Sequence, residues 1–200
     1  MKLRRTEEPR AWDLIPPTPD PTPEEIHQLL TGQTVYRHGQ AHDASTGLSM
    51  ALSRASSEAV WSVILDFDGY VRFLPYVSAS WVESREQLEG GVVRALWGME
   101  LTTRGVVTRY SVESRYVPGA RLMRWEMVPR GASPMARAHG YWTTGPWVGE
   151  AGRTLVVYGA DVATAWWLPG PIHRKAADKG LPQIVGLVSA RAEQARSGVE

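Results

Sequence analysis

Four side chains of this 200-residue sequence are suited by type to acid–base chemistry: His139, Tyr158, Asp161 and Arg104. A histidine within hydrogen-bonding distance of a carboxylate or a phenol can take up or release a proton at neutral pH. Alternation along the strand-like segment ARAHGYW, however, places His139 on the face opposite Trp142. We therefore interpret His139 as an outer-face residue, and a catalytic role would require the opposite strand phase with Asp161 or Tyr158 close by.

Metal, phosphate and cysteine chemistry find little support in the sequence. There is no cysteine, which excludes disulfides, thiolate metal sites and a cysteine nucleophile. His38 and His42 have a spacing that suits a metal only on a helix, but Gly39 and the polar residues after it argue against one. No glycine-rich phosphate loop, nucleophile elbow or paired-carboxylate motif occurs in a suitable context. We therefore predict neither a metal nor a cofactor.

A second group of side chains suits the binding of an apolar molecule. The segment RLMRWEMV alternates, so that Met123, Trp125 and Met127 share one face. Flexible methionines beside large aromatic rings are typical of adaptable apolar pockets, although core packing alone would also explain them. The full set of candidate ligand-binding residues is Phe73, Trp97, Met99, Met123, Trp125, Met127, Trp142, Val156, Tyr158, Trp166 and Trp167.

The last two residues of that set lie in the segment TAWWLPGPIHRKAADKG, which combines aromatic rings with cations. Such a combination is typical of a weak contact with a membrane surface, here through Trp166, Trp167, Arg174 and Lys175. The alternative, which we favour, is a lid, because the prolines stop the preceding strand and the tryptophans then fold over a cavity mouth. A lid that also touches a membrane would satisfy both interpretations.

The composition describes a soluble domain without a strong electrostatic field. Lys and Arg total 22 against 21 for Asp and Glu, so there is no global charge to recruit nucleic acid. The first residues lack the apolar run of a signal peptide, and no uncharged stretch reaches membrane-spanning length. We predict a cytoplasmic protein with no nucleic-acid partner.

Punctuating residues divide the chain into a proline-rich tail at 1–23, a short helix and connector at 24–44 and a main domain at 45–197. Thr22 and Glu25 form a capping-box pattern with Pro23 at the first helical position, which predicts the short helix. Ser56 is placed to cap a second helix. The apolar stripe of that second helix is Val60, Val63, Ile64 and Phe67.

The centre of the chain has the alternation of strands, and we count about seven, mostly sequential and therefore antiparallel. The segment GVVRALW is interpreted as one strand, and MELTTRGVVTRYSVESRY as one long strand with a bulge at Gly105. Gly98, between the two, leaves the phase of Trp97 and Met99 open. A final helix follows from apolar residues at helical spacing, and the fold class is α+β.

The stretch AVWSVILDFDGYVRFLPYV resembles a segment of the START-related superfamily, which contains the polyketide cyclases and the coenzyme-Q-binding proteins. The resemblance rests on Trp61 after Val60, Asp66 at the helix end and the Phe-Leu-Pro sequence that starts at Phe73. It covers about residues 45–197. It implies a helix-grip fold, in which a curved sheet wraps a long C-terminal helix and two short helices close one end of a cavity.

Three functions are compatible with this fold. The first is binding or carriage of an apolar molecule such as a lipid, an isoprenoid or a polyketide-like aromatic. The second is a cyclase or dehydratase that uses an acid and a base from among the four candidates named first. The third is a protein-interaction domain that uses the proline-rich tail or the Trp166–Trp167 tip.

Overall fold

The computed structural model describes residues 19–39, 44–103, 106–128, 135–164 and 183–195, which form one antiparallel sheet and several short helices. The strands are β1 Val35–His38, β2 Ala44–Ser53, β3 Val77–Gln87, β4 Val93–Thr103, β5 Val106–Tyr116, β6 Leu122–Val128, β7 Met135–Pro146 and β8 Thr154–Thr164. The helices are α1 Pro23–Leu30, α2 Ser57–Ile64 and α3 at 183–195, with a 3₁₀ helix at Phe67–Arg72. The strand order is β1-β2-β8-β7-β6-β5-β4-β3, so β1 and β3 are the two edges.

The sheet formed by these residues has eight strands rather than about seven, and the boundary between β4 and β5 also differs from the prediction. The prediction of a single strand with a bulge at Gly105 was wrong, because β4 and β5 form an antiparallel hairpin in which Thr103 pairs with Val106. The strand does not break at Gly98 either. The indole of Trp81 on β3 occupies the space where a Cβ at Gly98 would lie. A neighbouring aromatic ring therefore covers this glycine, and β4 runs through it without interruption.

Helix α1 forms as its capping box predicted and packs on the convex face of the sheet. The backbone N–H of Glu25 donates to Thr22 Oγ1 (3.3 Å), and the backbone N–H of Thr22 donates to Glu25 Oε2 (2.8 Å). Leu29 is fully buried in a small core whose buried members are Leu29, Val35, Met50 and Val157. The helix thus covers β1, β2 and β8 from outside.

Helix α2 begins after Ser56, whose side chain accepts a hydrogen bond from the backbone N–H of Ala59 (3.2 Å), as predicted. It packs at the end of the sheet where β7 finishes and β8 starts. The hydroxyls of Ser57 and Thr144 share a hydrogen bond of 2.6 Å, and Thr154 Oγ1 donates to the carbonyl of Ala55 (2.8 Å). These bonds hold α2 across that end, which we call the α2 end.

Helix α3 lies against the concave face. Val185, Val188 and Ala192 are buried in the same core as the inward side chains of the strands. Near its last turn, Glu193 Oε1 accepts hydrogen bonds from Ser53 Oγ (3.1 Å) and the backbone N–H of Arg54 (2.7 Å). The sheet therefore grips α3, and the helix-grip α+β fold is confirmed.

Candidate functional site

The predicted methionine and tryptophan surface forms on the concave face. Along β6 burial alternates, with Met123, Trp125 and Met127 buried and the residues between them only partly so. The register pairs Trp142 of β7 with both Met123 and Tyr158, so these side chains share a face with one another and with Val156. The six residues of this group that the sequence named, Met123, Trp125, Met127, Trp142, Val156 and Tyr158, all belong to one buried cluster.

Tyr158 is at the centre of the aromatic contacts in this cluster. Its ring lies parallel to that of Trp125, with 6.0 Å between ring centroids and an interplanar angle of 10°. Trp142 lies on it at 4.4 Å and a tilt of 37°. Offset and tilted rings at these separations are attractive beyond the area that they bury. The geometry makes a continuous aromatic surface from β6 to β8.

Because β4 is uninterrupted, Trp97 and Met99 both face the interior and both are buried. Trp97 is fully engaged by protein. Its indole stacks on Phe67 (4.9 Å, 6°), and its Nε1 donates to Ser114 Oγ (2.9 Å). Phe73 is only partly buried and contacts Tyr70 edge-on at 5.8 Å. The Trp97 ring is therefore occupied by contacts within the protein, whereas part of the Phe73 ring stays accessible to a ligand.

A group of partly buried apolar side chains lies at the end of the sheet opposite the α2 end. Five inward or capping residues there are apolar or aromatic and only partly buried: Phe73, Leu74, Leu101, Tyr110 and Val162. The inward residues of the neighbouring halves of β7 and β8 are small, namely Ala138, Gly140 and Ala160. The Trp125 indole covers Gly140 and lies where a Cβ of that residue would be. We call this region the open end, because its apolar side chains are less buried than those of the aromatic surface.

Two further tyrosines approach Tyr158 from other elements, and the sequence did not single them out as site residues. Tyr70 comes from the 3₁₀ helix and Tyr110 from β5, where it lies opposite Met99. Burial raises the pKa of all three tyrosines, that of Tyr158 well above its ordinary value. All three hydroxyls are therefore protonated at neutral pH and available as hydrogen-bond donors. The β4–β5 hairpin register would have identified Tyr110, had it been recognised.

The acid–base candidates are not brought together. His139 and Asp161 pair in register on the convex face, where His139 Nε2 is 3.8 Å from Asp161 Oδ2, beyond hydrogen-bonding distance. Tyr158 faces the opposite side of the sheet, and Arg104 lies outside the described residues. The structure thus places His139 on the outer face, as strand alternation indicated.

Other predictions concern residues that the structure does not describe, a metal site and a membrane-spanning segment. Trp166, Trp167, Arg174 and Lys175 follow the end of β8 and lie outside the described residues, so the lid and the membrane contact stay predictions. In the described ranges, no three His, Asp or Glu side chains are grouped as a metal would require. No helix within them has both the length and the apolar character needed to span a membrane.

Comparison with known proteins agrees with this geometry. Residues 53–186 match the family described as polyketide cyclase / dehydrase and lipid transport. A START superfamily protein from Mycobacterium smegmatis superposes with a TM-score of 0.58 at 17% identity, over 82% of this chain and 99% of that protein. The Zhui aromatase/cyclase from Streptomyces sp. R1128 superposes with a TM-score of 0.50 at 18% identity, over 78% and 87%.

A third similar structure is a fragment of the STAR-related lipid transfer protein from Xanthomonas axonopodis, with a TM-score of 0.53 at 16% identity, over 80% of this chain and 98% of that one. At such identities the likeness establishes the fold and not the ligand. No curated protein matches the chain.

Proposed function

Because the chain belongs to the polyketide cyclase / dehydrase and lipid transport family, we propose that it binds and carries an apolar small molecule between the concave face and α3. The observation that supports this most directly is the aromatic and methionine surface around Tyr158, which continues into small residues and accessible apolar side chains at the open end. A molecule placed there leaves water for rings and thioethers, which can adapt to its shape.

The driving force would be removal of apolar ligand surface from water, at about 25 cal/mol per Å² less the costs of association. The polar groups at the aromatic surface are tyrosine hydroxyls and the Trp125 Nε1–H group, which is buried without a hydrogen-bond partner among the described residues. Such groups can orient a ligand without carrying charge. Phe73, Met127 and Trp125 would contact the apolar body of the ligand. We expect micromolar affinity for suitable apolar probes.

A cyclase or dehydratase is the second candidate, and the interior position of Tyr158 is what favours it. A tyrosine with a raised pKa can donate a proton or a hydrogen bond, but it is a poor base at neutral pH. Under this alternative the protein would convert a poly-β-ketone analogue to an aromatic product, detectable by ultraviolet absorbance. Conversion by the wild type that is lost in Tyr158→Phe would replace the carrier proposal.

The carrier proposal can be tested in two stages. Native mass spectrometry of freshly purified protein should reveal a co-purifying lipophilic molecule. Titration with an environment-sensitive apolar dye should then give micromolar binding that Trp125→Ala weakens about tenfold, because the ring stacked on Tyr158 is gone. Trp125→Phe, which keeps a ring, serves as a second variant should the alanine protein fail to unfold cooperatively.

Two matched controls lie on the convex face. Trp81→Ala removes an indole that is 37% exposed and covers Gly98, and His139→Ala removes the outer-face imidazole. Both should bind the dye as the wild type does. Equal affinity of Trp125→Ala, Trp125→Phe and wild type would remove Trp125 from the site. Absence of both a co-purifying molecule and dye binding would favour the interaction-domain alternative.

A further inference from the structure

The three interior tyrosines differ in what their hydroxyls bind. Tyr70 donates to the carbonyl of Ile64 at 2.6 Å, a short and complete hydrogen bond. Tyr110 donates to the thioether sulfur of Met99 at 3.5 Å, which is a weak acceptor. The Tyr158 ring stacks on Trp125 and lies tilted against Trp142, and its hydroxyl, which is not fully enclosed, makes no hydrogen bond with any residue that the structure describes. Two of the three donors therefore lack a good acceptor.

A hydroxyl that makes no hydrogen bond within the protein is free to donate to a ligand. It can do so without first breaking a bond to the protein, and the apolar surroundings strengthen the new bond. Tyr70 shows that this fold can satisfy a tyrosine in the same region with a backbone carbonyl. The unsatisfied hydroxyl of Tyr158, with Tyr110 near it, is consequently a position where an acceptor atom from outside the chain would be stabilised.

The electrostatic surroundings of these hydroxyls favour an acceptor group that carries no charge. Within the described part of the chain, the groups that act on these hydroxyls are the other tyrosines and Asp66, and each of them raises a tyrosine pKa. Burial, the largest cause for each of the three, has the same sign. Surroundings that oppose a phenolate oppose a ligand carboxylate for the same reasons, namely lost hydration and, among the described residues, no cation that lowers the pKa of these tyrosines.

We propose that the bound molecule is uncharged and carries a carbonyl or hydroxyl oxygen that accepts a hydrogen bond from Tyr158, with Tyr110 beside it. This rests on the proposed function, since it specifies the chemistry of the molecule that the same interior binds. The apolar body lies against the rings of Trp125 and Trp142. Ketones, esters, alcohols and quinones fit this description, whereas fatty acids in their ionised form do not.

The test uses three naphthalenes of similar size at pH 7.5: 2-acetylnaphthalene, which has a neutral acceptor, 2-ethylnaphthalene, which has none, and 2-naphthoate, which is an anion. Isothermal titration calorimetry would measure their binding to the wild type and to Tyr158→Phe. The wild type should bind 2-acetylnaphthalene about tenfold or more tightly than 2-naphthoate. Tyr158→Phe should weaken 2-acetylnaphthalene about fivefold and leave 2-ethylnaphthalene unchanged, because it removes the donor and keeps the ring.

A matched control is Tyr141→Phe. The Tyr141 hydroxyl is also buried without a hydrogen-bond partner among the described residues, but it lies on the convex face. This variant should bind all three probes as the wild type does. Thermal unfolding of ligand-free Tyr158→Phe should show a melting temperature equal to or above that of the wild type, since no hydrogen bond is lost.

The outcomes separate this inference from the proposed function. If 2-naphthoate binds most tightly, or if Tyr158→Phe weakens the acetyl and ethyl compounds equally, the neutral-acceptor proposal is overturned while the apolar interior stands. If none of the three probes binds the wild type, both proposals fail. A fivefold effect confined to 2-acetylnaphthalene supports both.

Discussion

The two faces of the same strands have opposite chemistry. The concave face of β5 to β8 presents rings, thioethers and small residues, and its polar groups are hydroxyls and indole N–H groups. The convex face presents ion pairs, such as Arg115 with Glu113 at 2.7 Å within β5 and Arg109 of β5 with Glu100 of β4 at 2.5 Å. Tyr158 and Asp161 belong to the same strand, β8. Because they are three residues apart, the alternation of side chains places Tyr158 on the concave face and Asp161 on the convex face. Strand phase therefore decides whether a polar residue can meet a ligand.

The comparison predicts that truncation of a side chain on the concave side lowers the free energy of unfolding far more than truncation of one on the convex face. Phe67 is fully buried, stacks on Trp97 and meets Tyr70 edge-on. We expect Phe67→Ala to lower the free energy of unfolding by about 3–5 kcal/mol, measured by urea denaturation. Val107→Ala is the convex-face control, since Val107 is 53% exposed, and it should change stability by less than about 0.5 kcal/mol. Comparable losses in the two variants would contradict the contrast between the faces.

The second prediction sharpens the comparison within one strand, β7, which has a glycine on each face. A Cβ at Gly140 would overlap the backbone oxygen of Gly159 and touch the Trp125 ring, whereas a Cβ at Gly145 would meet nothing within 4 Å. Gly140→Ala should therefore cost about 1–3 kcal/mol, because β7 and β8 must separate. Gly145→Ala should be neutral or slightly stabilising. Thermal melts of the two variants would check this, and a stable Gly140→Ala would show that the strands can shift.

The smallest expected effect is a pH dependence of stability that arises on the convex side, at Glu25, and not from the concave tyrosines. Hydrogen bonds from Arg37, at 2.7 Å and 2.5 Å, hold the pKa of the Glu25 carboxyl at about 2, below its ordinary value of 4.5. A lowered pKa stabilises the fold above about pH 4.5, and this contribution is lost as the pH falls towards 2. The concave tyrosines stay protonated throughout that range.

Glu25→Gln should accordingly reduce stability by about 1 kcal/mol at pH 7, since the pair is only half-buried, and the difference from wild type should disappear near pH 2. Urea denaturation at a series of pH values would measure it. Glu24→Gln, at the exposed neighbouring position, is the control and should follow the wild type at every pH. A constant difference down to pH 2 would mean that the carboxylate charge is not what stabilises α1.

Local signals predicted the parts of the fold that depend on neighbours in sequence. The Thr22–Glu25 capping box, the Ser56 cap and the alternation of β6 each involve residues within a few positions, so the sequence contains all the information. The hairpin between β4 and β5 was missed for the opposite reason. The ring that covers Gly98 belongs to Trp81 of β3, and the backbone partners of β4 lie on β3 and β5, so the residues next to Gly98 in sequence do not indicate that the strand continues.

The candidate site shows the same limit. Alternation was sufficient to group Met123 with Trp125 and to put His139 outside, because each inference needs one strand. The proximity of Tyr70, Tyr110 and Tyr158 needs three elements and their register, and no single segment indicates it. The unsatisfied state of the Tyr158 hydroxyl is likewise a property of the packed interior and cannot be deduced from composition.

The strand order has a consequence for when the interior comes into existence during folding. Strand β2 pairs with β8, so that Leu48 meets Gly159 roughly 110 residues later, whereas β3 to β8 follow one another as neighbours. During synthesis, β2 can pair with β1 early, but it can pair with β8 only after nearly the whole chain has been made. Contacts of such long separation slow folding and leave an edge exposed in the meantime. Because α3 follows β8 in the chain, the interior between the sheet and α3 can be completed only after all eight strands have been synthesised.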